Sequence, residues 1–221
     1  MKYKAVIFDF DGTVADTCEG IFDSVQYALR SLNKEPIEME TLRKFIGPPL
    51  LFGFREFAHM NDSEAEQAVE LYRKNYEAGA VLKLRFYDGL LDLLRKLRKN
   101  GIKTGLASAK PDVFIQKILS HYEINDLFDY ARGISLEDYC TDKTDVINAV
   151  LDRLCIENRQ EVLMVGDTMF DIEGAKSVGT ASAGVLYGFG NPEQLRASGA
   201  DYIVHNIAEL DAVIFSQFAV K

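Results

Sequence analysis

A hydrophobic strand that ends on paired acids constrains this chain more than any other feature in it. Val6-Ile7-Phe8 is β-branched and aromatic and reads as a buried strand. It runs directly into Asp9-Phe10-Asp11-Gly12-Thr13. The spacing of the two carboxylates brings both out on the same side of an extended backbone. Like charges held that close need a cation, a proton or a cage of donors. Gly12 permits the sharp turn the chain must make there, and Thr13 adds a hydroxyl and a local backbone bond. A turn of this composition, capping a buried strand, points to an ion site ahead of a solvated loop.

The pattern downstream decides what surrounds that strand. Asp16 and Glu19 read as a capping-box-like start to a helix carrying Ile21, Phe22, Val25, Ala28, Leu29 and Leu32 at helical spacing. Further helix is expected over 42–46, broken at Gly47-Pro48-Pro49, and again over 50–57. Ser63 with Glu66 reads as a capping box opening a helix through Ala65, Val69, Tyr72 and Tyr76. Between Asp16 and Leu84 no stretch reads as a strand.

From Tyr87 onward helices and strands alternate. Helix is expected over 90–100, stopped by Gly101, then strand over 102–107 closing at Ser108. Helix over 113–119, strand over 128–131 and helix over 145–154 follow. A strand over 161–165 closes on Gly166-Asp167, with later strands near 181–185 and 202–204. Such alternation builds a parallel sheet with helices on both faces. Roughly 70 helical residues separate the first strand from the next, more than a single crossover needs. The expected fold is α/β: a doubly wound parallel sheet from residues 1–15 and 86–221, with 16–85 inserted as a small α-helical domain.

In an open parallel sheet functional side chains collect beyond the carboxyl ends of the strands. Asp9, Asp11, Ser108 and Asp167 all close expected strands, and Lys143 stands at the start of a helix that can begin at the same edge. Together they supply carboxylates, a hydroxyl, exposed amides and a cation, a set suited to a phosphate and a divalent ion. Asp171 follows Asp167 by one helical turn and faces the same way. Oxygen-only ligands favour a hard ion, Mg²⁺ being the natural choice. The net charge of −9 argues against nucleic-acid binding and leaves an anionic substrate to be drawn in by local cations. Cys18, Cys140 and Cys155 lack disulfide or zinc spacing, and no apolar run reaches membrane-spanning length. The chain enters its first strand without the pattern of a secretion leader, so the expected setting is cytoplasmic.

Asp9-Phe10-Asp11-Gly12-Thr13, Ser108 closing a strand, Lys143 before a helix and Gly166-Asp167-x-x-x-Asp171 occur in this order over essentially the whole chain. They resemble the four signatures of the haloacid dehalogenase-like hydrolase superfamily in its phosphatase form. The resemblance implies a Rossmann-like core and a mobile helical cap, with the 45–49 loop where the cap meets substrate. It implies Mg²⁺-dependent hydrolysis of small-molecule phosphate monoesters through an aspartyl-phosphate. Asp9 would be the nucleophile and Asp11 the acid and then the base. The ion would sit among the Asp9 carboxylate, the Asp11 backbone carbonyl and Asp167, supported by Asp171. Lys143, Ser108, Ala109 and Gly12 would bind phosphate.

The chain departs from the family pattern in two places. Ala109 stands where Asn is usual, which leaves only a backbone N–H. Lys143-Thr144-Asp145 replaces a common Lys-Pro-x-Pro. That context, with the glycine-rich stretch at 184–190, resembles a bacterial 5′-nucleotidase-like subgroup, while phosphoglycolate phosphatase is the generic alternative. A sugar phosphomutase using the same aspartates, or a non-enzymatic phospho-Asp switch, are the other readings; the insert and the Asp11 beside Asp9 argue against the switch. A small phosphate ester is the expected partner, for a monomer or homodimer.

Overall fold

In the computed structural model, which describes residues 2–135 and 142–215, β1 (Ala5–Phe8) is buried at every position. Alternate residues of a strand point to opposite faces, so both faces of the sheet are covered there. The chain continues through β2 (Ala15–Asp16), α1 (Cys18–Ser31), α2 (Met39–Arg43), α3 (Leu50–Glu56), α4 (Asp62–Ala78) and β3 (Arg85–Phe86). Then come α5 (Leu90–Lys99), β4 (Lys103–Pro111), α6 (Asp112–His121), β5 (Tyr130–Ile134) and α7 (Lys143–Leu154). The last elements are β6 (Val162–Gly166), α8 (Met169–Val178), β7 (Ala181–Val185), α9 (Pro192–Ala197), β8 (Tyr202–Val204) and α10 (Ile207–Phe215).

Six strands form one parallel sheet in the order β5-β4-β1-β6-β7-β8, while β2 and β3 pair separately. Strands are laid to one side of β1 first and to the other side afterwards. The reversal opens a crevice beyond the carboxyl ends of β1 and β6, the place where doubly wound sheets bind ligands. Ile147, Val150 and Leu151 of α7 and Val178 of α8 pack with Ala5, Ile7, Val162 and Met164 beneath that crevice. Each fully buried aliphatic side chain contributes about 1.5–3 kcal/mol, so the strand ends that border the crevice are rigidly founded.

The chain divides into two compact units, 1–16 with 86–221, and 17–85. Within the second, α1 and α4 pack together. The Asn75 amide donates to the Ser24 hydroxyl at 3.1 Å and to Asp23 at 3.3 Å, and Lys83 pairs with Asp23 at 3.0 Å. Phe45 is buried, edge-on to Phe54 and Phe57 at centroid distances of 5.2 and 5.6 Å. No helix among the described residues is long and apolar enough to cross a membrane.

Local departures from expectation have identifiable causes. Asn61, not Ser63, caps α4: its side chain accepts the Glu64 N–H at 3.0 Å and its own N–H donates to the Glu64 carboxylate at 3.2 Å. Thr17 takes the N-cap of α1 without a side-chain bond, and Asp16 belongs to β2, so no Asp16–Glu19 box forms. Helix α2 ends at Arg43, before Phe45 turns inward. Strand β4 does not stop at Ser108 but runs to Pro111, with a register irregularity between Ala107 and Pro111. Strand β5 starts late, after Asp129 has accepted the Thr104 N–H. Cys18 and Cys155 take part in no disulfide, and Cys140 lies outside the described residues.

Candidate active site

The register of two adjacent strands assembles the acids. Phe8 of β1 pairs with Val165 of β6, and the Asp9 N–H extends the ladder by donating to the Val165 carbonyl at 2.9 Å. Paired strands lie about 4.8 Å apart, so Asp9 emerges beside Asp167. The first turn of α8 then brings in Asp171, whose Oδ2 accepts the Thr168 N–H at 3.0 Å and the Thr168 hydroxyl at 2.8 Å. Carboxylate oxygens of Asp9, Asp167 and Asp171 lie within 4.8 Å of one another, and all three residues are buried. Asp167 does not cap the helix, since Thr168 holds that place; its Oδ2 accepts the Phe189 N–H at 2.7 Å.

One ammonium faces this cluster. Lys143 opens α7, behind an Asp142 cap that accepts the Asp145 N–H at 3.0 Å. Its Nζ lies 2.5 Å from Asp9 Oδ1 and 2.8 Å from Asp171 Oδ1. Burial disfavours that charge, but Asp171 and Asp9 outweigh it, so the Lys143 pKa is raised and the ammonium is retained. Burial pushes Asp167 up to about 8, reinforced by Asp9 and Asp171 and opposed by the Phe189 N–H and Lys143. Asp9 is raised as well, by burial first, with Lys143 opposing and Asp171 adding.

Asp167 Oδ1 is buried and has no hydrogen-bond partner among the described residues. A buried carboxylate oxygen without a donor is costly unless a cation takes its place. Three buried carboxylates, one lysine and an orphaned oxygen therefore fit a hard divalent ion bound through oxygen.

Asp11 stands apart from that cluster. Its carboxylate is partly exposed and meets Lys110 Nζ at 2.8 Å through Oδ1 and 3.2 Å through Oδ2. Lys110 is buried, and sequence reasoning assigned it no role. Its signal is the i, i+2 spacing from Ser108, which carries meaning only once β4 is known to run past Ser108. Ser108 itself is buried, and its hydroxyl accepts the Lys110 N–H at 3.2 Å; Ala109 is exposed. Leu106 pairs with Phe8, so Ser108 lies at the same sheet edge as Asp9. The Gly12 N–H donates to the Ala15 carbonyl at 2.9 Å, which commits that amide to the turn rather than to a phosphate. What Gly12 supplies is space: its φ is +82°, and a Cβ there would overlap the Asp167 carboxylate.

A family model for haloacid dehalogenase-like hydrolases matches residues 6–185. A 5′-nucleotidase of Pseudomonas aeruginosa is 35% identical over 216 residues, covering 98% of this chain and 97% of that protein. The tyrosine-protein kinase PtkA of Mycobacterium tuberculosis is 30% identical over 202 residues, covering 91% of this chain and 68% of that protein. A crystal structure from Clostridium difficile, described as a candidate phosphatase, matches with a TM-score of 0.91 at 38% identity. It is covered in full, against 97% of this chain. By this match and by the acidic cluster at the carboxyl ends of β1 and β6, the chain belongs to the haloacid dehalogenase-like hydrolases and is an enzyme of that class.

Proposed function

We propose that the protein is a Mg²⁺-dependent phosphatase of small phosphate monoesters, nucleoside monophosphates foremost, that works through an aspartyl-phosphate on Asp9. The observation that carries this reading is the meeting of Asp9, Asp167 and Asp171, with Lys143 on Asp9 and Asp171 and the buried Asp167 Oδ1 left without a donor among the described residues. The Asp9 carboxylate, the Asp11 main-chain carbonyl and Asp167 would hold the ion, with Asp171 in support. Mg²⁺ in that place would offset the charge of the nucleophile and of the phosphoryl oxygens.

Asp9 attacks phosphorus as the bond to the leaving alcohol breaks, and Asp11 gives that oxygen its proton. Asp11, now ionised, takes a proton from the water that attacks the aspartyl-phosphate; inorganic phosphate leaves and Asp9 is restored. Asp11 suits the task because it is next to the nucleophile yet outside the buried cluster; its ion pair with Lys110 holds its orientation and must loosen for Asp11 to carry the proton it donates. Lys143 stays protonated and neutralises the nucleophile between turnovers. The Ser108 hydroxyl and the Ala109 N–H serve as phosphoryl donors. Residues 17–85 act as the cap that selects the leaving group.

The Lys143-Thr144-Asp145 context and the 5′-nucleotidase relative support nucleotides over phosphoglycolate. The test is a panel of nucleoside monophosphates, phosphoglycolate and sugar phosphates, run with and without Mg²⁺ on wild type and Asp9→Asn. Phosphate release confined to wild type with Mg²⁺, with kcat/KM highest for a nucleoside monophosphate, is expected. Release by Asp9→Asn, or release independent of divalent ions, would falsify the mechanism.

A further inference from the structure

The glycine-rich stretch after β7 converges on Asp167. Its ends are clamped: the Leu186 N–H donates to the Val204 carbonyl at 2.9 Å, and Asn191 caps α9 by accepting the Glu193 and Gln194 N–H groups at 2.8 and 3.3 Å. Between these anchors the Tyr187 hydroxyl donates to the Thr13 carbonyl at 3.2 Å, and the ring packs on Tyr87 at a centroid distance of 4.7 Å. Gly188 and Gly190 then lie directly against Asp167. A Cβ on Gly188 would overlap the Gly12 carbonyl and sit 2.5 Å from Asp167 Cβ, and one on Gly190 would overlap the Asp167 carbonyl. The approach delivers the Phe189 N–H to Asp167 Oδ2 at 2.7 Å and leaves Oδ1 buried without a partner among the described residues.

We propose that the 187–190 turn sets the metal selectivity of the site by holding Asp167 monodentate. A carboxylate with both oxygens free can bind an ion through either or both. One whose Oδ2 already accepts a fixed N–H presents Oδ1 as its free oxygen and is biased against closing both oxygens on one ion. Mg²⁺ demands near-octahedral geometry with single-oxygen donors, whereas the larger Ca²⁺ readily takes a bidentate carboxylate. The turn therefore favours the smaller ion, and tyrosine and glycines alike serve to bring one backbone N–H to one oxygen. This inference rests on the divalent-ion reading of the acidic cluster given above.

Two variants test it. Gly188→Ala pushes the turn away from Asp167. Phenyllactate placed at position 189 turns the 188–189 amide into an ester, exchanging the N–H for an oxygen while leaving every side chain in place. Mg²⁺ and Ca²⁺ binding are measured by calorimetry and by the shift in Tm that each ion causes, so no reading depends on turnover. In both variants Mg²⁺ affinity falls about tenfold, while Ca²⁺ affinity holds or rises, so the Mg²⁺/Ca²⁺ ratio drops tenfold or more. An unchanged ratio in the ester variant overturns the proposal, and the ester decides the matter if Gly188→Ala does not fold. Wild type that binds neither ion overturns both this proposal and the metal-dependent function. Wild type and variants with equal selectivity overturn this proposal alone.

Discussion

At the amino edge of the sheet Asp129 accepts the Thr104 N–H at 2.7 Å, and Asp201 accepts the Ser182 N–H at 2.8 Å and its hydroxyl at 3.0 Å. At the carboxyl edge Asp9, Asp167 and Asp171 crowd together, Lys143 reaches Asp9 and Asp171, and Asp167 keeps an oxygen without a donor among the described residues. The same residue type thus does opposite things at the two ends of the same strands. Each amino-edge acid precedes a strand and bonds to the strand beside it, so its charge is satisfied by the backbone it joins. The carboxyl-edge acids are set against one another, a geometry that destabilises the metal-free fold and makes sense when a cation is to be bound.

Substitutions can break or sharpen that contrast. The largest effect belongs to Asp9→Asn, which removes the proposed nucleophile and should lower kcat by about 10⁴ or more, read as phosphate release from a protein whose circular dichroism is unchanged.

Asp167→Asn comes next and acts in two directions. Burial raises the Asp167 pKa to about 8 in the folded protein, from the ordinary carboxylate value of 3.8. The folded state thus holds a proton that the unfolded state has released, so metal-free stability falls as pH rises from about 4 through 8. Mg²⁺ bound as proposed would have to displace that proton, so its affinity should rise about tenfold per pH unit below 8 and level off above. Asn does not titrate: the variant should lose the Mg²⁺-induced rise in Tm yet melt several degrees higher than wild type without metal. A metal-free Tm below that of wild type would mean the cluster is as well satisfied as the amino-edge acids.

Lys110→Met should lower kcat by about tenfold to a hundredfold, because Asp11 loses the partner that orients it, with Mg²⁺ affinity unchanged. A parallel loss of Mg²⁺ binding would merge the Lys110–Asp11 pair with the acidic cluster, against their separation in the fold. The smallest catalytic effect is expected from Asp201→Ala, which strips the Ser182 N–H of its acceptor. It should cost about 1–3 kcal/mol, or roughly 2–12 °C in Tm, and leave kcat/KM within about twofold. A large fall in kcat/KM would show that the amino edge is not merely structural.

How much of this was legible follows from what is local. Buried strands, their polar ends and the helical turn from Asp167 to Asp171 are matters of short-range periodicity, so the sheet and the acids at its carboxyl edge could be read from the residues. The cap of α4 was misjudged by two residues because Ser63-x-x-Glu66 and Asn61-x-x-Glu64 both fit a capping box, and only backbone dihedrals choose between them. Lys110 was invisible because its partner Asp11 is 99 residues away and the strand was expected to end too soon.

Composition and periodicity alone determined an α/β chain with acids and a lysine at its strand and helix ends, since 2.0 and 3.6 residue repeats are written into neighbouring side chains. Tertiary structure alone decided which oxygen of Asp167 is bonded, which lysine meets which aspartate, and that the Gly12 amide is already engaged. Those choices depend on strand register and on segments far apart in sequence coming within a few ångströms. No local pattern carries that information.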